Sequence, residues 1–592
     1  MRKAFKRTAV MALALTLACG MVGCGGGNDS SSNAGGGSSS SGGTTRLPKS
    51  EISVGIWDGG IRGNWADRWA EEFEKANANR SFEEGKMGVD VTVNLSKAFL
   101  DDTCAERLTD YEADIVYCEQ VNYYKFITLG TGYNINEWVT TPLTEFNETK
   151  SIEDKMSAWD VDYYGQSGGA NGGYYGVPWV CSMLAINYDI KIFEDNNLYF
   201  AANGKGDSQG FVAGPQTEKS LGPDGKTGIG PNGEDYTQDD GMPATYDDFF
   251  KMCDKMVDCG ITPFVWAGGF QKYVTQLVYT LWADFEGYED MQRNYTFEGE
   301  EEGLISIDTL TNKITKMEKL LIDDSNGYML RRQEGLYQAL KFIERICTTK
   351  DNRGELKYIN GEDCFGESVS HLNAQYKFLG STIPGSASPI AMFVDGTWWY
   401  NEAYAAFDEM SALPGYGHYD RQIGIMPMPK ATKAMVGEDA TWMSVYITSC
   451  VVNANIADYS EEKIALIREF FRYMHTDKAM TSYMYDSHTV RPFKYELTDL
   501  DRFDTDFSTY AMQQYNIYNK SQVVQPYSSH YKIRYYLNAW HMVFTSAVPD
   551  KGRYDYVTDA FRAGVTAEEY FEGMVALMSK DKWDGWIIGP DL

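Results

Sequence analysis

Between residues 50 and 120 the chain alternates strand, helix and strand, and that rhythm limits the fold more than any other feature. EISVGIWDGG (51–60) is an apolar, β-branched run that stops at Trp57, Asp58 and two glycines. NWADRWAEEFEKAN (64–77) then places Trp65, Trp69 and Phe73 at i, i+4 and i+8, the spacing of one buried helical face. VDVTVNL (89–95) and ADIVYCEQ (113–120) return to strand character. Units of this kind imply a layered α/β domain with parallel strands. In open sheets of that class ligands meet the carboxyl ends of strands, where Trp57, Asp58, Glu119 and Gln120 fall.

A chain of 592 residues, 43% of them hydrophobic, is globular but too long for one core, so two lobes or more are expected. Beyond residue 180 the pattern changes. Residues 203–241 are rich in Gly and Asp and read as a surface insertion. Asp224, Asp235, Asp239 and Asp240 invite a calcium reading there, but the twelve-residue spacing of an EF-hand is absent and a solvated loop is favoured. TYDDFFKMCDKMVDCG (245–260) is a helix with Thr245 as cap and Gly260 as stop, followed by a strand, ITPFVWAGG, that ends at Trp266. PIAMFVDGTWWYNEAYAAF (389–407) turns from strand to helix at Trp398 and Trp399. Residues 460–485 read as one long helix capped by Ser460, and 490–592 as mostly helical.

The N-terminus reads as an address. Arg2, Lys3, Lys6 and Arg7 precede a short apolar run, Ala9 to Ala18, which falls below the about 20 residues of a spanning helix. Met21-Val22-Gly23-Cys24 resembles the bacterial lipobox, which implies a signal peptide over 1–23 and a diacylated Cys24; Cys19 also follows a small residue. Residues 25–45, mostly Gly, Ser, Asn and Thr, form a flexible tether. The formal charge of the whole chain is −31; residues 1–23 carry four basic and no acidic side chains, so from Cys24 onward 49 basic residues face 84 acidic ones, a charge of −35. Such a surface repels nucleic acid and anionic lipid. Eight further cysteines show no zinc spacing. Cys118, Cys181 and Cys450 read as buried thiols, and Cys347–Cys364 is one disulfide considered.

Three segments carry a resemblance. GGYYGVPWVCSMLAINYDIKIF (172–193), PATYDDFFKMCDKMVDCGITPF (243–264) and AMFVDGTWWYNEA (391–403), in this order and behind a lipobox, resemble the carbohydrate class (family 1) of bacterial ABC-transporter solute-binding lipoproteins. Asp189 stands where that family more often has Asn, and Tyr246 where it has Trp. The insertion at 203–241 and the tail beyond about 500 lie outside the likeness. The resemblance implies a type II periplasmic-binding-protein-like fold, two α/β lobes with a ligand cleft between them. It places lobe one at 50–178 with 425–460, after a tether at 24–49, and lobe two at 179–424 with 461–592. Crossings are expected near 176–180, 422–428 and 458–464. The function it implies is capture of a carbohydrate, an oligosaccharide, on the extracellular face of the cell membrane. A monomer tethered through its lipid would then deliver the sugar to ABC permease subunits and their ATPase.

Stacking aromatics and hydroxyl-binding acids suit such a ligand. By the resemblance Trp57, Asp58, Glu119, Trp179, Trp266, Tyr273, Trp398, Trp399 and Trp442 are the candidate ligand contacts. Trp179 would face the cleft beside a Val177-Pro178 hinge, Trp398 is favoured over Trp399, and Trp442 would close the cleft from the first lobe. Arg491 is expected to be a salt-bridged structural residue. No cofactor or metal is called for. Two rival readings stay open. Asp58 and Glu119 would imitate the paired carboxylates of a glycan-degrading enzyme. An acidic cleft would also suit a peptide or a polyamine.

Overall fold

The computed structural model describes residues 47–166, 172–213, 218–225, 240–359, 361–366, 368–386, 388–526 and 542–587. Among these, two sheets dominate. Their strands in chain order are β1 (Ser50–Trp57), β2 (Val89–Ser96), β3 (Ile115–Glu119), β4 (Gly176–Val177), β5 (Leu184–Asp189), β6 (Thr262–Trp266), β7 (Ile390–Gly396), β8 (Ile423–Met426) and β9 (Thr448–Val452). The first sheet has the order β2-β1-β3-β9-β4 and the second β8-β5-β7-β6. β1 lies parallel to β2, from Ser50 opposite Val89 to Trp57 opposite Ser96, and parallel to β3. β9, however, runs antiparallel to β3 and β4, and β5 antiparallel to β7 and β8. The parallel strands expected over residues 50–120 are found, and the antiparallel strands lie outside that range. β5 and β9 each enter straight from a segment that links the sheets, with no helical crossover to restore a parallel direction.

The first helix, α1 (Asn64–Ala76), buries Trp65, Trp69 and Phe73 as its periodicity predicts. α2 (Tyr246–Asp258) opens on a capping box in which the Thr245 and Asp248 side chains each accept from the other's backbone N–H, and it stops before Gly260 at φ +74°. Three helices then serve the second sheet: α3 (Lys272–Thr296), α4 (His371–Gly380) and the single turn α5 (Trp399–Glu402), which leaves the end of β7. α6 (Glu461–Tyr473) is capped by Ser460, but the long helix expected over 460–485 breaks at Met474–Thr476. It resumes as α7 (Asp477–Ser487), with Thr476 as a new cap. α8 (Thr509–Lys520) follows.

Two large cores result. The first gathers Trp65, Trp69, Tyr117 and Trp179 with Phe470, Phe471 and Tyr483 of α6 and α7. The second gathers Phe264, Phe393 and Trp399 with Tyr510 and Ile517 of α8. The assignment of 461–592 to the second lobe is therefore corrected for α6 and α7, whose apolar faces cover the first sheet. The chain passes between the sheets at 178–183, 427–447 and 488–508. The first link lies where the sequence put it, the second is longer, and the third follows α7 instead of preceding α6.

Cys24, the signal peptide and the tether lie outside the described residues, as do Asp235 and Asp239 of the insertion. Among the described residues no helix is long and apolar enough to cross a membrane. Cys347 is a thiol, so the disulfide considered between it and Cys364 is not formed. Asp189 has a structural reason to depart from Asn. Its Oδ1 accepts from Ile192 N at 2.9 Å, capping the next helix, and its Oδ2 pairs with the buried Arg421 at 2.5 Å.

Candidate functional site

The carboxyl ends of the two sheets face a common zone. From the first sheet come Trp57, Asp58 and Gly60 after β1, Lys97 after β2 and Glu119 at the end of β3. The second contributes Asp395 at the end of β7, Trp398 and Glu402 around α5, His371 and Gln375 on α4, and Tyr273 on α3. Tyr446 reaches in from the 427–447 link. Trp398 is the hub. Its ring lies 5.8 Å from that of Tyr273, edge to face, and 5.4 Å from that of Tyr446. Trp398 and Tyr273 are each 7% exposed, and although their elements serve the second sheet they pack into the core of the first.

One contact between the lobes lies at the loop after β1. A Cβ placed on Gly60 would lie 2.6 Å from Trp398 Cδ1 and 3.3 Å from Glu402 Oε1, so only glycine fits in this arrangement. Beside it the Asn401 amide donates to the Ile61 carbonyl, and the Arg62 guanidinium sits 3.4 Å above the Tyr404 ring. The loop after β1 is thereby held against α5 and the helix after it.

Acids dominate the electrostatics. Burial pushes Glu119 up to about 7, and the Gln120 amide, 3.3 Å away, and the more distant Lys272 charge only partly offset it. Asp395 is held well above the usual carboxylate range, first by burial and then by repulsion from Glu402. Burial also raises Glu402, against the pull of His371, Gln375 and Lys97. The Gln375 amide donates to Glu402 Oε2 at 2.7 Å, and His371 Nε2 stands 3.5 Å from Glu402 Oε1. Asp58, by contrast, is 45% exposed and ion-paired with Lys97 at 3.2 Å. The Lys97 ammonium also lies 5.1 Å over the Trp57 ring.

The sequence candidates divide. Trp57, Asp58, Glu119, Tyr273 and Trp398 occupy this zone; four others do not. Trp179 is buried in the first core, its indole donating to the Cys118 carbonyl at 2.9 Å and its ring packed on Tyr117 and Trp65. Trp399 sits within the second core against Phe393, Phe378 and Tyr510. Trp266 packs edge to face on Phe365, buried. Trp442 lies in a short strand, Thr441–Met443, paired with Gln522–Val524, and is buried in the second core, so it does not close the cleft from the first lobe. In each case a neighbouring aromatic or strand claims the ring. Arg491 is structural as expected, but through hydrogen bonds: it donates to the Met474 carbonyl at 2.8 Å and contacts His475 Nε2 at 2.9 Å.

Sequence reasoning missed Tyr446, Glu402, Asp395, Gln375, His371 and Lys97. Glu402 carried a signal, because it follows Trp398 by one helical turn and so shares its face. Tyr446 carried none, since MSVYITS reads as one strand whereas the strand character breaks between Met443 and Thr448.

Solved structures share this architecture over most of the chain. One, described as giving biochemical and structural insights into xylan utilization by the thermophilic bacterium Caldanaerobius polysaccharolyticus, matches with a TM-score of 0.50 at 12% identity, over 89% of this chain and 100% of that one. Apo RafE from Streptococcus pneumoniae gives 0.49 at 12% identity over 90% and 98%. The Thermus thermophilus maltotriose binding protein with maltotriose gives 0.45 at 14% over 90% and 99%. No family model matches the sequence, and no curated protein does. At such identities the likeness speaks for the fold alone: two-lobed, α/β, of the periplasmic-binding-protein kind.

Proposed function

We propose that the chain is an extracellular solute-binding protein that captures an oligosaccharide between its lobes and hands it to an ABC importer. One observation carries the reading: Tyr273, Trp398 and Tyr446 cluster at the junction of the two sheets, with Glu119 and Glu402 at their flank. Ring faces bury the C–H surface of a sugar at low entropic cost, while carboxyl and carboxamide groups fix its hydroxyls. The fold neighbour from work on xylan utilization agrees with a polysaccharide fragment as ligand. Three links between the sheets suit a hinge that opens and closes on the ligand. Trp57, Asp58, Glu119, Tyr273 and Trp398 are the contacts we assign from the sequence, with Tyr446 and Glu402 added. Cys24 carries the lipid, and permease subunits with their ATPase are the partners.

A panel of neutral oligosaccharides of different linkage, screened by thermal shift and then calorimetry, tests this. At least one should raise Tm by several degrees with a saturable affinity. If none does, the reading falls. Release of shorter sugars during incubation with the same panel would instead support glycan hydrolysis.

A further inference from the structure

We infer that the captured carbohydrate carries a protonated amine, received by Asp395, Glu402 and Gln375 beneath the Trp398 ring. This rests on the reading of the cleft as a carbohydrate site and narrows its ligand. The geometry is one of acceptors without donors. Gln375 is 1% exposed; its amide nitrogen is spent on Glu402 Oε2, and its Oε1 has no partner. Asp395 is fully buried, with Oδ1 accepting from Gly396 N at 2.7 Å and Oδ2 left without a close hydrogen bond, though the Gln375 side chain stands near enough to steady its charge. Glu402 Oε1 faces the first lobe at Gly60, with only the His371 imidazole nearby at 3.5 Å. A sugar hydroxyl brings a single O–H to such a set, whereas an ammonium brings three N–H donors and the countercharge.

The Trp398 ring folds back over Gly396, next to Asp395, where a Cβ would lie 2.0 Å from its Cη2, so an amine reaches the buried pair only if that ring moves. Among the described residues, the His371 imidazole and the Lys97 ammonium face Glu402, and neither acts on Asp395. Tyr273, Tyr446 and Tyr510 are held neutral, burial being the main cause for each. Glu119 adds a further acid at the edge of the same aromatic group. A neutral ligand leaves a proton on the Asp395–Glu402 pair; a cation displaces it.

The test compares β-1,4-linked glucosamine oligomers with their N-acetylated counterparts, with unsubstituted gluco-oligosaccharides and with spermidine, by calorimetry on the wild-type protein from pH 5 to 7. The amine-bearing oligomers should bind at least about tenfold more tightly than the N-acetylated ones near pH 7. Their advantage should fade as pH rises into the range where the sugar amine itself gives up its proton, while the affinity of the neutral sugars stays level. Glu402→Gln, which keeps a side chain of the same shape for Gln375 to bond, should shrink the ratio toward one. Neutral sugars binding as well as aminated ones would overturn the inference and leave the proposed function standing. Spermidine binding with no sugar bound would overturn both.

Discussion

Trp398 and Trp179 look alike in the sequence, each a tryptophan at the end of a strand-like run, and the structure gives them opposite tasks. Trp179→Ala should cost about 3–5 kcal/mol of stability, the scale of truncating a buried ring, and leave sugar affinity intact in the folded fraction. Trp398→Ala should lower sugar affinity by about 1–3 kcal/mol, roughly 5- to 150-fold, with a smaller fall in melting temperature. Paired calorimetry and thermal unfolding check both, and the reversed pattern would refute the assignment. Glu119 supplies a second residue-scale test. Its folded value, about 7, lies above the ordinary 4.5, so it costs nothing below 4.5, destabilises the fold increasingly as pH rises from 4.5 to 7, and exacts its full cost above 7. Glu119→Gln should therefore match the wild type near pH 4.5 and exceed it at pH 8, by at most about 3 kcal/mol. A strand pattern fixes which residues alternate, but not which neighbour claims a ring. Trp179 was settled by Tyr117 and Trp65, far from it in the chain. That is why Asp58 and Glu119 fall in the zone while Asp395 went unseen and four of the six candidate tryptophans lie elsewhere.

At the scale of elements, caps and periodicities were the reliable signals. Thr245 and Ser460 cap the helices they were expected to cap, and the stripe of α1 is buried as its spacing requires. The break between α6 and α7 was missed because Thr476, polar and unremarked within a helical pattern, starts a new helix. α7 ends at His488 in a left-handed conformation, φ +53°, and there its imidazole meets that of His418 at 4.7 Å. Burial pulls His418 down to about 4 and His488 well below its usual range. Both must stay neutral in the fold, so stability is full above about 6.5 and declines as pH falls toward 4. His418→Phe keeps the stacking on Phe407, 4.4 Å away, and removes one titration. Its melting temperature should fall less than that of the wild type between pH 6.5 and 4.5; an unchanged acid response would assign the lability elsewhere.

For the whole molecule, the two-lobed plan followed from the order of segments, while the ownership of α6 and α7 depended on apolar faces that suit either core in sequence alone. The lobes meet through Gly60, which makes the contact testable. Gly60→Val would drive a side chain into Trp398 and hold the lobes apart. The ligand-free variant should show a larger radius of gyration by small-angle X-ray scattering than the wild type and bind sugar more weakly. Equal radii would mean that the contact does not set the spacing. That contact has a further consequence. The Trp398 indole rests against the opposite lobe, so under the proposed function the protein carries its own competitor for the cleft. Any guest must displace an occupant whose effective concentration is set by the chain itself and does not fall on dilution. Under the proposed function, that standing competition rejects weak guests, and the ring refills its place when a sugar departs, which favours release over recapture.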